Sequence, residues 1–308
     1  MKSDIRLAVL GDPVRHSLSP AMHMAALREC GLDGTYEKLH VRADDLAATV
    51  ARLGGDDFTG FNVTVPHKER VVRMLSQTDG AAERIGAVNT VVVRTDGLHG
   101  YNTDATGFAR LLPDIQARGC AALVVGAGGA ARACVDTLVG RGWSVTVAAR
   151  RFEQAHHAFG SRVAVVNLTW ESEFQSVLNA SKLLVNASSA GMNQAQDSPL
   201  PKGITVPSDL CVIDLVYAPL ETMLLRQARD AGCLTIDGLA LLASQAADSF
   251  ALWTGRRLPD AFFRQAAEAA LSGTDESDDH NGHGYRASRV AGAAGREQST
   301  SCSETKPV

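Results

Sequence analysis

Apolar residues along the chain fall into short runs and longer stretches at helical spacing, and the two alternate almost throughout. "RLAVLG" (6–11) reads as a strand, and Ser19 and Pro20 open a helix ending near Gly31. "TYEKLHV" (35–41) predicts a second strand and residues 44–53 a second helix. "FTGFNVTV" (58–65) predicts a third strand, in which Val63 and Val65 alternate with Asn62 and Thr64 before Pro66 stops it. In "HKERVVRML" (67–75), Val71, Val72, Met74 and Leu75 stand at helical spacing. "AVNTVVVR" and "GLHGYN" predict a hairpin around Thr95, Asp96 and Gly97. This is α/β patterning.

A second rhythm begins near residue 121. "AALVVGAGGAARACVDTLVGRG" reads as strand, glycine turn and helix, "WSVTVAAR" as the next strand, and residues 152–159 as a helix. "VAVVN", "KLLVNAS" and "LCVIDLVY" add three strands, followed by the helix "PLETMLLRQARDAG". Repeated βα units of this length predict a parallel, doubly wound Rossmann-type sheet with right-handed crossovers. Residues 238–271 read as two closing helices. From Ser272 apolar content and periodicity fall away, which predicts a disordered tail over 272–308. Its His280 and His283 read as solvated side chains rather than metal ligands. The expected division is an α/β substrate domain over 1–108, a dinucleotide-binding domain over 109–237 and helices over 238–271 that pack back on the first domain. The active site is expected in the cleft between the two domains.

At 308 residues the chain is ample for two packed cores. Thirty Lys and Arg against thirty-four Asp and Glu give a net charge of −4, so no basic excess exists to neutralise nucleic-acid phosphates. No run approaches the roughly eighteen apolar residues of a membrane span, and the apolar run in "MKSDIRLAVLGDP" is too short for a signal peptide. Cys30, Cys120, Cys134, Cys211, Cys233 and Cys302 are scattered without a C-x-x-C pair. Such scatter fits a reducing cytosol and points to no metal centre.

Gly126, Ala127, Gly128, Gly129, Ala130 and Ala131 fit G-x-G-x-x-A directly after a strand and opening a helix. The first glycine permits the tight turn, the second lets backbone approach a diphosphate, and Ala131 lets helix pack on strand. A nucleotide-free turn is the competing reading. The next strand ends at Arg150 and Arg151, where an NAD site usually carries an acid. A guanidinium there suits the 2′-phosphate of NADP, which an acid would repel.

Four polar clusters fall at or near predicted strand ends: "HSLSP", "GFNVTVPHK", "AVNT" and "GYNTDATGF". Strand carboxyl ends line the ligand crevice of an open α/β sheet. Ser17 and Ser19 suit a carboxylate seat at a helix start, or plain helix capping. Thr64, Asn89 and Asn102 can hydrogen-bond several substrate hydroxyls. Lys68 and Asp104 form the charged pair of the group, or are two unrelated surface charges. His16, His23 and His67 fall in or near these motifs but read as structural, with His23 a hydrogen-bonding group and His67 pointing away from Lys68.

"GDPVRHSLSPAMH", "GFNVTVPHK", "IGAVNT", "GYNTDATGF", "GAGGAARA", "NASSAGM", "DLVYAPLETMLL" and "DGLALLASQAADSFALWTG" occur in an order that resembles the shikimate dehydrogenase family over residues 5–270. The resemblance implies reversible NADPH-dependent reduction of 3-dehydroshikimate to shikimate, on the route to chorismate and the aromatic amino acids. It implies Lys68 and Asp104 as the catalytic pair and Ser17 and Ser19 on the substrate carboxylate. Thr64, Asn89, Asp104 and Gln245 would bind ring hydroxyls, with Tyr217 beside the substrate. Met192 and Val216 would line the cofactor pocket and Gly238 would lie near the nicotinamide. Two departures stand out: Met24 replaces a usual Asn, and Ala149-Arg150-Arg151 keeps only the central Arg of a usual Asn-Arg-Thr. They leave open a quinate/shikimate or aminoshikimate-type paralogue. A non-catalytic NADP-binding regulator is a further alternative, opposed by the presence of both Lys68 and Asp104. A homodimer is compatible with the sequence.

Overall fold

The computed structural model describes residues 4–55, 57–113, 119–192, 196–273 and 303–304. The chain forms two compact units, Met1–Thr103 with Ala243–Val308, and Asp104–Leu242.

The first unit contains β1 (Ile5–Gly11), α1 (Ser19–Glu29), β2 (Gly34–His40), α2 (Leu46–Gly55), β3 (Gly60–Val63), β4 (Gln77–Thr78), α3 (Gly80–Ile85), β5 (Thr90–Arg94) and β6 (Gly97–Tyr101). They make one sheet in the order β2-β1-β3-β5-β6-β4. The crossovers through α1 and α2 leave β1 parallel to β2 and β3, while the β5–β6 hairpin and the β3–β5 pair are antiparallel. In α2, Leu46, Val50 and Leu53 recur at steps of four and three, and that stripe packs on Leu10, Phe61, Val63 and Val91 of the sheet. Asp79 caps α3 by accepting from the Ala82 N–H at 2.7 Å.

Two expected elements shrink. The third strand ends at Val63, because the Thr64 carbonyl turns to accept from the His67 N–H. The apolar positions of 71–75 yield one 3₁₀ turn, Val71–Met74, since β4 starts at Gln77 and leaves no room for an α-helix.

The second unit begins within α4 (Thr103–Leu111), whose first residue, Thr103, belongs to the first unit. It comprises β7 (Ala121–Val125), α5 (Gly129–Gly140), β8 (Ser144–Ala149), α6 (Phe152–Phe159), β9 (Ala164–Asn167), α7 (Glu171–Ala180), β10 (Leu183–Asn186), β11 (Cys211–Asp214), α8 (Met223–Asp230) and β12 (Leu234–Ile236). All strand pairs are parallel, in the order β12-β11-β10-β7-β8-β9. Numbered from β7 and read from the β9 edge, this is 3-2-1-4-5-6, the doubly wound dinucleotide-binding order, with its switch point between β7 and β10. The pleat sends alternate side chains to two cores: Leu183 and Val185 join one, Leu184 the other.

The chain closes with α9 (Gly238–Thr254), β13 (Arg256–Arg257), α10 (Asp260–Gly273) and β14 (Ser303–Glu304). Helix α10 packs on α1 of the first unit. The expected tail start at Ser272 is corrected: the helix runs through Ser272 and Gly273, with the Ser272 hydroxyl bonded to the Glu268 carbonyl at 3.0 Å. Within the expected tail, Ser303 and Glu304 pair antiparallel with Arg257 and Arg256, a main-chain pairing that needs no apolar side chains. His280 and His283 lie outside the described residues. Among the described residues no helix is long and apolar enough to cross a membrane.

Candidate functional site

The ends of β1 and β3 are joined by backbone hydrogen bonds, Thr64 N–H to Leu10 O and Asp12 N–H to Val65 O, both 2.9 Å. The segment after β1 and the turn after β3 therefore lie side by side. In the first, Leu18 occupies the N-cap of α1 without a side-chain cap. Ser17 and Ser19 engage each other instead: the Ser17 hydroxyl accepts from the Ser19 N–H at 3.3 Å and donates to the Ser19 hydroxyl at 3.2 Å. In the second, Thr64 and Lys68 are half-buried. His67 is fully buried and donates from Nε2 to the Val41 carbonyl at 2.6 Å. The Lys68 carbonyl accepts from the Val88 N–H at 2.8 Å, which fixes the Lys68 backbone beside the residue preceding Asn89.

His23 departs from the expectation of a hydrogen-bonding role. It is fully buried, and neither ring nitrogen has a partner. The ring lies parallel to that of Tyr36, centroids 4.9 Å apart, and meets Trp253 and Phe263 edge-on. Burial lowers its pKa to about 3. Met24, on the same helix, is a core residue.

Around Asn89 lies a buried polar cluster. The Asn89 side-chain oxygen accepts from the Thr103 N–H at 2.7 Å, and its amide nitrogen donates to Thr103 Oγ1 at 2.9 Å and Gln245 Oε1 at 3.5 Å. Asn62 Nδ2 has three acceptors within reach of its two hydrogens, the Asn89 carbonyl, Thr90 Oγ1 and Ser249 Oγ at 3.0, 3.1 and 3.2 Å, and its side-chain oxygen accepts from the Tyr36 hydroxyl at 2.6 Å. Asn102 donates to the Ala87 carbonyl at 2.8 Å. Asn62, Asn89, Thr90, Asn102, Thr103, Gln245 and Ser249 are all buried. Asp104 follows Thr103 in the first turn of α4 and is buried. Of the residues expected to bind ring hydroxyls, Asn89 and Gln245 thus meet in one cluster, with Asp104 next in chain to another member.

In the second unit, Gly126 has φ +118°, and a Cβ there would lie 2.8 Å from the Ala187 carbonyl after β10. Only glycine fits this crossing of chains at the switch point. Gly128 is the N-cap of the twelve-residue α5, and a Cβ on it would meet nothing within 4 Å. Gly129 and Ala130 start the helix, half-buried Ala127 precedes it, and Ala131 is fully buried against the sheet. The open space at Gly128, at the N-terminus of α5, fits a diphosphate. Arg150 and Arg151 are exposed at the end of β8. With Phe152, Glu153, Gln154, Asn167 and Trp170 they line a cavity of about 500 Å³, in which two cations face one acid. Two guanidiniums on one cavity suit a phosphate, so the residues fit NADP.

Asn186 and Asp214, at the ends of β10 and β11, carry roles that the strand pattern alone does not assign. Asp214 accepts from Asn186 Nδ2 at 2.8 Å, the Val216 N–H at 3.0 Å and the Thr222 hydroxyl at 2.6 Å. Burial raises its pKa, and these donors oppose the shift. Asn186 in turn accepts from the N–H and hydroxyl of Ser188. The pair fixes the loop leading toward exposed Met192 and the loop with buried Val216 and half-buried Tyr217, whose hydroxyl pKa burial also raises. Gly238 starts α9 against the carbonyls of Leu215 and Val216. The signal for both was a polar residue closing an all-apolar strand, in "LLVN" and "CVID".

The family model described as the shikimate dehydrogenase substrate binding domain matches residues 9–91. The NADP(+)-dependent shikimate dehydrogenase of Streptococcus pneumoniae strain CGSP14 is 38% identical over 262 residues, covering 82% of this chain and 92% of that protein. The structure of shikimate 5-dehydrogenase from Thermus thermophilus, in complex with NADP(H) and shikimate, is 40% identical, with a TM-score of 0.76 over 87% of this chain and 100% of that one. Quinate dehydrogenase from Corynebacterium glutamicum, in complex with NAD, is 31% identical, with a TM-score of 0.75 over 86% of this chain and 99% of that one.

Proposed function

Because the chain belongs to the shikimate dehydrogenase family, we propose that it catalyses the reversible NADPH-dependent reduction of 3-dehydroshikimate to shikimate. It is an NADP-dependent oxidoreductase, and the step leads toward chorismate and the aromatic amino acids. The observation that carries this reading is the buried amide-and-hydroxyl cluster around Asn89 and Gln245. Such a cluster offers amide and hydroxyl groups of the kind that recognise a polyhydroxylated ring.

NADPH, when bound, supplies the hydride for the ketone carbon. The Lys68 ammonium stabilises the negative charge that develops on the ketone oxygen and gives that oxygen its proton. Asp104 orients Lys68 and accepts a hydrogen bond from a neighbouring substrate hydroxyl. Ser17 and Ser19 hold the substrate carboxylate. Thr64, Asn89 and Gln245 bind ring hydroxyls, and Tyr217 lies beside the ring. Gly126, Gly128 and the head of α5 hold the diphosphate, and Arg150 and Arg151 hold the 2′-phosphate. Met192 and Val216 line the nicotinamide half of the cofactor, with Gly238 next to it. A reducing cytosol is the setting we assign, from the scattered cysteines of the sequence. Purified protein given 3-dehydroshikimate and NADPH is expected to consume both and form shikimate in equal amount. Absence of any 3-dehydroshikimate-dependent NADPH oxidation would overturn the proposal.

A further inference from the structure

Three hydroxyls from three separate elements meet in a closed triangle inside the first unit. Thr90 Oγ1 on β5 and Ser249 Oγ on α9 are 2.7 Å apart. Thr103 Oγ1, at the head of α4, lies 3.1 Å from each. Thr90 and Ser249 are fully buried and Thr103 nearly so. Two amides feed protons into the triangle from outside: Asn62 donates to Thr90 and Ser249, and Asn89 donates to Thr103. Ser249 also donates to the Gln245 carbonyl one turn earlier, at 2.9 Å.

Each corner adjoins a residue assigned above to the substrate. Thr90 follows Asn89, Thr103 precedes Asp104, and Ser249 stands one helical turn after Gln245. We propose that Ser249 is a positioning residue for the dehydrogenase reaction: its hydroxyl joins the α9 corner to the other two and so sets the spacing of Gln245, Asn89 and Asp104 around the substrate ring. This rests on the functional reading above. The physical ground is that each hydroxyl carries one proton and can accept others, so Ser249 accepts from the two threonines while its own proton goes to the Gln245 carbonyl. Removing the Ser249 oxygen takes an acceptor from Thr90 and Thr103, which fall back on the Asn89 side-chain oxygen at 3.4 and 3.2 Å, and the α9 corner is no longer tied to the other two.

The test compares wild type, Ser249→Ala and Ser249→Cys in steady-state kinetics with shikimate and NADP⁺, each normalised to folded protein. Ser249→Ala is expected to raise KM for shikimate about tenfold, the size of one lost buried hydrogen bond, while KM for NADP⁺ stays within about twofold. Ser249→Cys, with a weak donor of similar shape, is expected to fall between wild type and Ser249→Ala, and it carries the test alone if the alanine variant does not fold. A folded variant with unchanged KM for shikimate would overturn the proposal. So would equal rises for shikimate and NADP⁺, which mark general loosening. Wild-type protein that fails to oxidise shikimate at all would remove the functional reading itself, a result separable from an active wild type with an unaffected Ser249→Ala variant.

Discussion

The backbone N–H of Thr103 donates to the side-chain oxygen of Asn89 across 2.7 Å, so the head of helix α4 is bound to the start of strand β5. The next residue along that helix is Asp104. Asn89 is therefore both a substrate-facing candidate and the acceptor for an N–H of the helix's first turn, where the helix itself supplies no acceptor.

Asn89→Ala is expected to destabilise the protein by about 1–3 kcal/mol, because the buried Thr103 N–H loses its acceptor and the buried Thr103 hydroxyl loses a donor. Asn89→Asp keeps the acceptor for the Thr103 N–H and loses donation to Thr103 Oγ1 and Gln245. Urea unfolding should show Asn89→Asp recovering much of the stability, while kcat/KM for shikimate stays low in both variants. Equal stability of wild type and Asn89→Ala would refute this account of the residue.

Lys68→Ala is expected to lower kcat by about 10²- to 10⁴-fold, with a smaller change in KM for either substrate. Lys68→Met, which preserves the length of the stem, should be as slow. Single-turnover measurements with NADPH would isolate the step. Near-normal kcat in either variant would remove Lys68 from the chemistry.

Arg150 and Arg151 share a cavity with Trp170 and Asn167. Changing both arginines to Ala is expected to raise KM for NADP⁺ by roughly ten- to a hundredfold, as hydrogen bonds to a charged phosphate are lost. KM for NAD⁺, which has no 2′-phosphate, should shift far less. Parallel changes for the two cofactors would contradict a 2′-phosphate role.

His23 predicts the acid limb of stability. Burial lowers its folded-state pKa from 6.5 to about 3. Between those values the unfolded chain takes up a proton that the folded protein excludes, so stability falls as pH drops below 6.5 and is insensitive to this group above it. The slope is at most about 1.4 kcal/mol per pH unit. Between about pH 7 and about pH 5, wild type should lose about 2 kcal/mol more than His23→Phe in urea unfolding. An identical acid slope in the two proteins would show that His23 protonates without unfolding.

The periodicities carried much of this fold. The βα alternation marked the doubly wound sheet, and the hairpin near Gly97 appears as β5 and β6. Elements whose local signal was weak were not legible. Helix α3 is only six residues long, and α4 starts inside a polar cluster placed from the sequence at a strand end. The glycine turn was readable because its geometry is local in sequence. The Asn62, Thr90, Thr103 and Ser249 cluster was not, since Asn62 and Ser249 are 187 positions apart and a lone buried hydroxyl resembles any surface serine. His23 misled for a related reason: a histidine suggests a hydrogen bond, and only packing reveals an aromatic slot without partners.

The most direct test of the central claim is kcat/KM for shikimate and for quinate, each with NADP⁺ and with NAD⁺, on the purified protein. Shikimate with NADP⁺ is expected to be the best of the four pairings by a wide margin. A preference for quinate, for NAD⁺, or for neither polyol would contradict the account.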